Sequence, residues 1–153
     1  MEGIEIRNMS PDDIQDVLDL EHLCFTTPWS RTSFMYEMGN KSANLKSSLF
    51  NHRLIGYVCL RTIMDVTHVL NLAVSPEFRR MGVGSRLLRE ALQDLIMLEP
   101  DIDFITLEVR ESNKAAVKLY ENFGFRLIGK RTGYYHKPPE DAVLMGLEIE
   151  AGL

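Results

Sequence analysis

The sequence predicts a mixed α/β fold in which one central sheet carries helices on both faces. Strand-like and helix-like segments alternate along the 153 residues, and strand-like segments adjoin one another towards both ends of the chain. Adjoining strands predict antiparallel hairpins, whereas the interleaved helices predict crossovers, so the sheet should be mixed and covered on both faces. No repeat, low-complexity run or linker interrupts the pattern, which predicts a single domain over residues 1–153.

Composition excludes several classes of protein. Apolar residues make up 45% and charged residues 25% of the chain, as in ordinary globular proteins. The net charge of −5 argues against electrostatic binding to nucleic acid, and it is compatible with a basic peptide substrate. The amino terminus lacks the basic and apolar regions of a signal peptide, and no apolar stretch approaches the ~20 residues of a membrane span. We therefore expect a cytoplasmic protein without membrane contact.

The cysteines and histidines show no pattern of a disulfide or a metal site. Cys24 and Cys59 each lie among apolar neighbours, which favours two buried free thiols. The histidines have no ligand spacing with one another or with the cysteines, so no metal is expected. They are His22, His52, His68 and His136.

The first forty residues predict a short strand and two helices. Ile4 and Ile6 alternate with polar residues, as in a strand. The run 10–13, Ser-Pro-Asp-Asp, is typical of a helix start because it offers a cap, a first-position proline and acidic residues in the first turn. Residues 27–30 should end this helix, and Ser30 should cap a second one.

The remainder of the chain predicts six further strands and two further helices. The strands are expected at 43–50, 54–64, 67–74, 104–109, 125–128 and 142–149, and the helices at 83–96 and 113–123. Gly124 stands at the usual stopping position of the last helix. A polar loop containing Tyr134, Tyr135 and two prolines should join the last two strands.

A basic loop, residues 79–84, lies between the fourth strand and the long helix that follows. The first N–H groups of that helix lack intrahelical partners, and its dipole favours an anion such as a pyrophosphate. Gly82 and Gly84 would let the backbone approach the anion closely. A P-loop is excluded because Ser85-Arg86 follows Gly84, and a dinucleotide fingerprint is excluded because Leu87 stands at its third glycine. A plain tight turn before a capped helix is the alternative.

The loop resembles the Arg/Gln-x-x-Gly-x-Gly/Ala acetyl-CoA motif of the GCN5-related N-acetyltransferases (GNAT), matched at Arg79, Gly82 and Gly84. Further segments match in the same order along nearly the whole chain. They are Pro28-Trp29-Ser30, Leu107-Glu-Val-Arg-Glu-Ser-Asn113, Ala116-Val-Lys-Leu-Tyr-Glu-Asn-Phe-Gly-Phe125, Tyr134-Tyr135 and Glu140-Asp141-Ala142. Within the superfamily, the pattern resembles the bacterial RimI-type ribosomal-protein-alanine N-acetyltransferases.

The resemblance implies a GNAT fold whose fourth and fifth strands splay apart, with acetyl-CoA as co-substrate entering the gap. Its pantetheine would pair like an extra strand, and its pyrophosphate would cap the central helix. Transferred position by position, the cofactor-binding residues are Leu72, Ala73, Val74, Arg79, Arg80, Met81, Gly82, Val83, Gly84, Ser85 and Asn113. Asn113 could equally be a helix cap, and Arg79 and Arg80 could be a solvated basic pair.

Acetyl transfer from a thioester to an amine needs a base, an oxyanion donor and an acid. The resemblance assigns Glu108 as the base and Tyr120 as the acid, while backbone N–H groups near 72–74 would polarise the thioester carbonyl. On an alternating strand, Glu108 shares a face with Thr106 and Arg110. For Glu108 the alternative is a solvated glutamate on a half-exposed strand. For Tyr120 it is a core aromatic residue on the last helix.

The acceptor is expected to be the N-terminal alanine of a basic protein, a small-subunit ribosomal protein by resemblance. An α-amino group has a pKa of ~8 against ~10.4 for lysine, so it is easier to deprotonate. The resemblance places Trp29, Tyr134 and Tyr135 in loops along the acceptor channel; for Trp29 a place in the core is the alternative. Gly133 stands where asparagine is common in RimI-type sequences, a departure that bears on the terminal-residue preference rather than on the reaction. A relaxed peptide, lysine or small-amine acetyltransferase and a non-catalytic acetyl-CoA-binding module are the alternatives.

Overall fold

The computed structural model describes residues 2–149, which form one seven-stranded mixed sheet and four α-helices. The strands are β1 (Ile4–Asn8), β2 (Ala43–Phe50), β3 (Arg53–Ile63), β4 (Val66–Val74), β5 (Phe104–Arg110), β6 (Arg126–Tyr135) and β7 (Glu140–Glu148). The helices are α1 (Ile14–Cys24), α2 (Arg31–Met38), α3 (Val83–Leu98) and α4 (Lys114–Asn122).

The order of the strands in the sheet is β1-β2-β3-β4-β5-β7-β6. β4 and β5 are parallel, while the β1–β2, β2–β3, β5–β7 and β6–β7 pairs are antiparallel. This pattern confirms the predicted mixed sheet with antiparallel hairpins towards both ends of the chain.

Two compact units divide the described residues. The first unit comprises 2–61 and 70–100, and the second unit comprises 62–69 and 101–149. β4 contributes to both, because its residues up to Val69 belong to the second unit and those from Leu70 onwards to the first.

Helices cover both faces of the sheet in the first unit. On one face, Tyr57 of β3 packs in the same buried cluster as Val17 of α1 and Phe34 of α2. Gly56 points to the opposite face because side chains alternate along a strand. There a Cβ added to Gly56 would lie 3.0 Å from Cδ1 of Leu87, so α3 packs closely on this face.

Both predicted N-terminal helix starts are present. A 3₁₀ turn, Pro11–Asp13, leads into α1, and the Asp13 carboxylate accepts a hydrogen bond from the Ser10 N–H at 3.0 Å. Ser30 caps α2, because its Oγ accepts from the Ser33 N–H at 3.2 Å. Each cap satisfies an N–H group that the helix itself leaves without an acceptor.

The second unit is built on β5, whose residues alternate as predicted. Ile105, Leu107 and Val109 are buried, whereas Thr106 and Glu108 on the other face are half-buried. β4 and β5 pair in parallel from Val66–Phe104 to His68–Thr106. Glu108 follows two residues beyond the last of these pairs.

The expected loop around Tyr134 and Tyr135 is wrong. β6 continues to Tyr135, which pairs with Glu140, and the connecting segment is only 136–139. The register shifts between Arg131 and Tyr135, so a bulge absorbs Gly133, which has a φ of +65°. Glycine and polar residues are typical of loops, yet a bulge accommodates them within a strand.

The expectation of two buried free thiols can be compared with the structure. Cys24 and Cys59 are free thiols, as predicted, although Cys24 is half-buried rather than fully buried. Over residues 2–149 no helix is long and apolar enough to cross a bilayer.

Candidate active site

The loop between β4 and α3 has the backbone geometry of an anion site. Gly82 is the N-cap of α3 with a φ of +83°, and Arg80 has a φ of +63°. A left-handed backbone costs a residue with a side chain ~1–2 kcal/mol, which favours glycine at this position. A Cβ added to Gly82 would have no atom of the described chain within 4 Å, so the loop is open on that side.

The first turn of α3 presents N–H groups beside this loop. The Arg86 N–H donates to the Gly82 carbonyl oxygen at 3.0 Å and begins the helical ladder. The N–H groups of Val83, Gly84 and Ser85 precede that bond and have no acceptor within the helix. Together with the dipole of a 16-residue helix, they fit the pyrophosphate of a coenzyme A thioester.

Arg79 and Arg80 have different surroundings. Arg79 donates from Nε to the Val74 carbonyl oxygen at 3.0 Å and from Nη2 to Sγ of Cys24 at 3.3 Å. Its side chain therefore ties the loop to the end of β4 and to the end of α1. Arg80 is exposed. The first of these arginines thus has a clear anchoring contact, and the phosphate contact expected of both stays a prediction.

Glu108 lies on the half-buried face of β5. Its side chain is 23% exposed, and Nη2 of Arg131 in β6 lies 3.9 Å from its Oε1. At this distance the contact is a loose ion pair, not a hydrogen bond. The carboxylate therefore keeps access to solvent, as a base that exchanges protons requires.

Tyr120 and Tyr135 lie close enough to interact electrostatically, and Tyr135 also interacts with Glu108. Tyr120 is buried, and its ring meets Phe125 edge-on at 5.6 Å between centroids. Burial raises the pKa of Tyr120 above its usual range. Burial, followed by the nearby Tyr134 and Glu108, raises the pKa of Tyr135 to about 12. The second unit thus gathers the predicted base, the predicted acid and one predicted acceptor-binding tyrosine.

Arg110 holds the segment that follows Tyr135, a role that sequence patterns did not reveal. Its two terminal nitrogens donate to the carbonyl oxygens of Pro138 and His136, each at 3.0 Å. Nη1 also lies 3.2 Å from Oε1 of Glu140, and Cζ lies 4.5 Å from the centre of the Tyr135 ring. The signals in the sequence were that Arg110 shares a face with Glu108 and lies within the matched segment 107–113.

Tyr134 and Asn113 have surroundings that leave their proposed roles open. Tyr134 is 43% exposed and meets Tyr135 edge-on at 5.0 Å, while Cζ of Arg131 lies 5.5 Å from its ring centre. Asn113 caps α4, because its Oδ1 accepts from the Ala116 N–H at 3.2 Å. The cap is therefore present, and a contact between Asn113 and the cofactor stays a prediction.

Trp29 lies in the first unit at the segment between α1 and α2. Its ring is 5.2 Å from that of Phe34, and its backbone N–H donates to Oε2 of Glu21 at 2.8 Å. Trp29 also borders a cavity of about 310 Å³. The other lining residues are Thr32, Ser33, Tyr36, Glu37 and Arg61.

Glu21 is a second candidate functional residue, after Arg110, that sequence patterns did not reveal. Its side chain is buried in α1 and accepts hydrogen bonds from the Tyr57 hydroxyl and, at 3.1 Å, from Nδ2 of Asn71. Burial raises its pKa, and the bonded donors oppose that shift. The available signal was its position four residues after Val17, on the apolar face of the helix.

The family comparison decides the class of the protein. Residues 14–125 match the model of the Acetyltransferase (GNAT) family, a span that includes the basic loop 79–84 (the anion loop), Glu108 and Tyr120. The chain belongs to the GNAT acetyltransferase family. GNAT enzymes use acetyl-CoA, so the chain is an acetyl-CoA-dependent N-acetyltransferase.

Curated GNAT relatives match along almost the whole chain. The [ribosomal protein bS18]-alanine N-acetyltransferase of Salmonella typhimurium is 32% identical, over 92% of this chain and 95% of its own. A Bacillus subtilis relative, whose name assigns it the same reaction provisionally, is 36% identical over 94% of this chain and 95% of its own.

Solved GNAT structures share the fold. The ribosomal-protein-S18-alanine N-acetyltransferase of Escherichia coli superimposes with a TM-score of 0.86 and 26% identity, covering 98% of each chain. Arabidopsis thaliana NAA60 with a bisubstrate analogue superimposes with a TM-score of 0.87 over 97% of this chain and 99% of its own. Its 18% identity supports likeness of fold alone.

Proposed function

We propose that this GNAT enzyme acetylates the α-amino group of the N-terminal alanine of ribosomal protein bS18. The observation that carries the proposal is the similarity to relatives named for that reaction, at 32% and 36% identity over more than nine-tenths of the chain. The charge of −5 suits a basic acceptor of this kind. We place the reaction in the cytoplasm, where free thiols such as Cys24 and Cys59 persist.

The first unit supplies the groups proposed for the acetyl donor. The N–H groups of Val83, Gly84 and Ser85 bind the pyrophosphate, with Gly82 keeping the approach clear. Backbone groups of 72–74 bind the acyl end and polarise its carbonyl. When bound, acetyl-CoA supplies an acetyl group on a good leaving thiolate.

The second unit supplies the proposed acid and base. Glu108 takes a proton from the acceptor ammonium, directly or through water, so that the nitrogen has a lone pair for attack. The N–C bond forms, the C–S bond breaks with its electron pair going to sulfur, and the new amide nitrogen loses its second proton to water. Tyr120 then gives its proton to the thiolate and regains one from solvent. Burial keeps Tyr120 protonated at neutral pH, which supports this role.

The acceptor is proposed to be an α-amino group rather than a lysine. Its pKa is ~8 against ~10.4, so a single carboxylate deprotonates it with ~3 kcal/mol less work. Trp29, Tyr134 and Tyr135 are the proposed contacts for the first residues of the acceptor, because each offers an accessible aromatic surface.

The test uses two synthetic peptides that are based on the first residues of bS18 and differ in their termini and lysine content. One has a free terminal alanine and no lysine, and the other has a blocked terminus and one lysine. We expect mass spectrometry to find one acetyl group on the free alanine and none on the blocked peptide. Acetylation of the lysine alone, or of neither peptide, would reject the proposed reaction.

A further inference from the structure

A buried carboxylate joins three parts of the first unit. Glu21 of α1 is 1% exposed. It accepts hydrogen bonds from the Tyr57 hydroxyl of β3, from Nδ2 of Asn71 in β4 at 3.1 Å and from the backbone N–H of Trp29 at 2.8 Å. The GNAT chemistry proposed above uses none of these bonds.

An ionisable group in such a place is costly, because burial removes its hydration. An apolar side chain would pack against Val17 and Tyr57 without that cost. An apolar side chain could accept none of the three donors, and of these the Trp29 N–H alone belongs to a segment outside any helix or strand. The bond therefore fixes the position of the segment 25–30 relative to α1.

The fixed segment is connected to two proposed contacts of the first unit, Trp29 for the acceptor and the start of 72–74 for the acetyl donor. The Trp29 ring packs on Phe34, which meets Tyr57 edge-on at 5.7 Å, and Trp29 borders the cavity of about 310 Å³. Asn71 immediately precedes Leu72, the first of the residues proposed to bind the acyl end. Glu21 thus links the segment bearing Trp29 to the strand that would hold the acetyl group.

We infer that Glu21 is a positioning residue that sets the selectivity of the enzyme for the first residue of its acceptor. It does so by holding Trp29, and with it the segment 25–30, in one arrangement against α1 and β4. This inference rests on the proposed function, in which Trp29 contacts the acceptor. A segment released from Glu21 would adapt to larger terminal residues.

The experiment measures kcat/KM for two peptides that differ only in a first residue of alanine or methionine. The ratio of the two values does not depend on the fraction of enzyme that is folded, so a merely structural effect leaves it unchanged. In Glu21→Ala we expect the alanine preference to fall about tenfold, the scale of one hydrogen bond to a charged group. The KM for acetyl-CoA measures any effect that passes through Asn71, and it should change less than the alanine preference.

Two further variants at this position keep the test decisive. Glu21→Gln retains an oxygen that can accept the Trp29 N–H. Its amide nitrogen can donate to the Tyr57 hydroxyl and, once the Asn71 amide flips to present its oxygen, to Asn71, so Glu21→Gln should retain the preference. Glu21→Asp is shorter by one methylene group and draws back from Trp29, so it should lose part of the preference. Glu21→Asp replaces Glu21→Ala if the latter does not fold.

Asp13 provides a matched control at the other end of the same helical segment. It is 5% exposed and accepts hydrogen bonds from Arg7, Ser10 and Ser47. Asp13→Ala should lower stability and leave the ratio unchanged. An equal loss of preference in Asp13→Ala, or an unchanged ratio in the Ala and Asp variants of Glu21, would overturn the inference.

The wild type separates failure of the inference from failure of the proposed function. A wild type that acetylates both peptides equally well overturns the inference, because there is no preference for Glu21 to maintain, and leaves terminal acetylation standing. A wild type that acetylates neither peptide rejects the proposed function and the inference with it.

Discussion

Glu108 and Tyr120 lie in different environments, and the difference matches the two roles proposed for them. The Glu108 side chain is 23% exposed, so it can pass a proton to water after each turnover. Tyr120 is 7% exposed, and burial keeps its phenol protonated. Tyr135 interacts with both. Acetyl transfer from a thioester to an amine needs a base for the attacking nitrogen and an acid for the departing sulfur, and these two environments suit those roles.

Replacing either group should slow turnover more than it weakens cofactor binding. We expect Glu108→Gln and Tyr120→Phe each to lower kcat by about a hundredfold, the lower end for acid–base catalysis. The dissociation constant of acetyl-CoA, measured by calorimetry, should change little. Glu111→Gln is the control, because Glu111 is partly exposed and its carboxylate lies 3.0 Å from Nζ of Lys130. Full turnover in both variants would contradict the assignment of base and acid.

The buried Glu21 should make stability depend on pH in a definite direction. Burial raises its pKa in the folded protein, so the folded state binds more protons than the unfolded state just above the usual pKa of ~4.3. The free energy of unfolding contributed by Glu21 therefore falls as the pH rises through that window. Relative to the wild type, Glu21→Gln should gain stability between about pH 4 and pH 7. Urea unfolding at about pH 4 and at about pH 7 measures this difference in the free energy of unfolding. A loss of stability in Glu21→Gln relative to the wild type between these pH values would contradict a raised pKa of Glu21.

At the scale of elements, the start of α3 is the part of the site most sensitive to a small change. Gly82→Ala adds a Cβ in the open space beside the free N–H groups, where the pyrophosphate is proposed to lie. We expect acetyl-CoA affinity to fall at least about tenfold, with a strain of ~1–2 kcal/mol on folding.

Gly3→Ala is the control for that strain. Gly3 has a φ of +78° against +83° for Gly82, and it lies in the segment before β1. Its replacement should lower stability by a similar amount without changing acetyl-CoA affinity. Equal affinity in Gly82→Ala and the wild type would place the pyrophosphate elsewhere.

Local sequence signals predicted most elements of this fold. The strand expected at 43–50 has those bounds, Ser30 caps α2, and Asn113 caps α4, because caps and alternation act within a few residues. β6 was predicted too short, since the pairing of Tyr135 with Glu140 depends on a bulge. Strand pairing depends on the partner strand as well as on local composition.

The site was predictable to a lesser degree. Motifs identified the anion loop, Glu108 and Tyr120 as candidates. The bonds of the Arg79 guanidinium to Val74 and Cys24 were not predicted, and its contact with phosphate stays a prediction. Glu21 meets donors up to fifty residues away in the chain. Such contacts are set by how distant strands and helices pack, and a single sequence shows no sign of them.

At the scale of the whole molecule, the chain path links the two units. The second unit contains 62–69, a segment whose chain neighbours on both sides belong to the first unit. This segment supplies the pairing of Val66–His68 with β5. If the first unit unfolded, the chain on both sides of 62–69 would become disordered. Keeping the three residue pairs with β5 would then close a loop of disordered chain, which costs additional entropy.

Residues 2–149 should therefore unfold in one cooperative transition, as the predicted single domain requires. Trp29, the only tryptophan in the sequence, reports on the first unit by fluorescence. Amide exchange of Leu107 and Met145, which pair in β5 and β7, reports on the second. We expect both probes to give the same urea midpoint and the same dependence on urea concentration. A tryptophan transition complete while Leu107 stays protected would instead show two independently folding domains, because the second unit would then hold its segment 62–69 without the first.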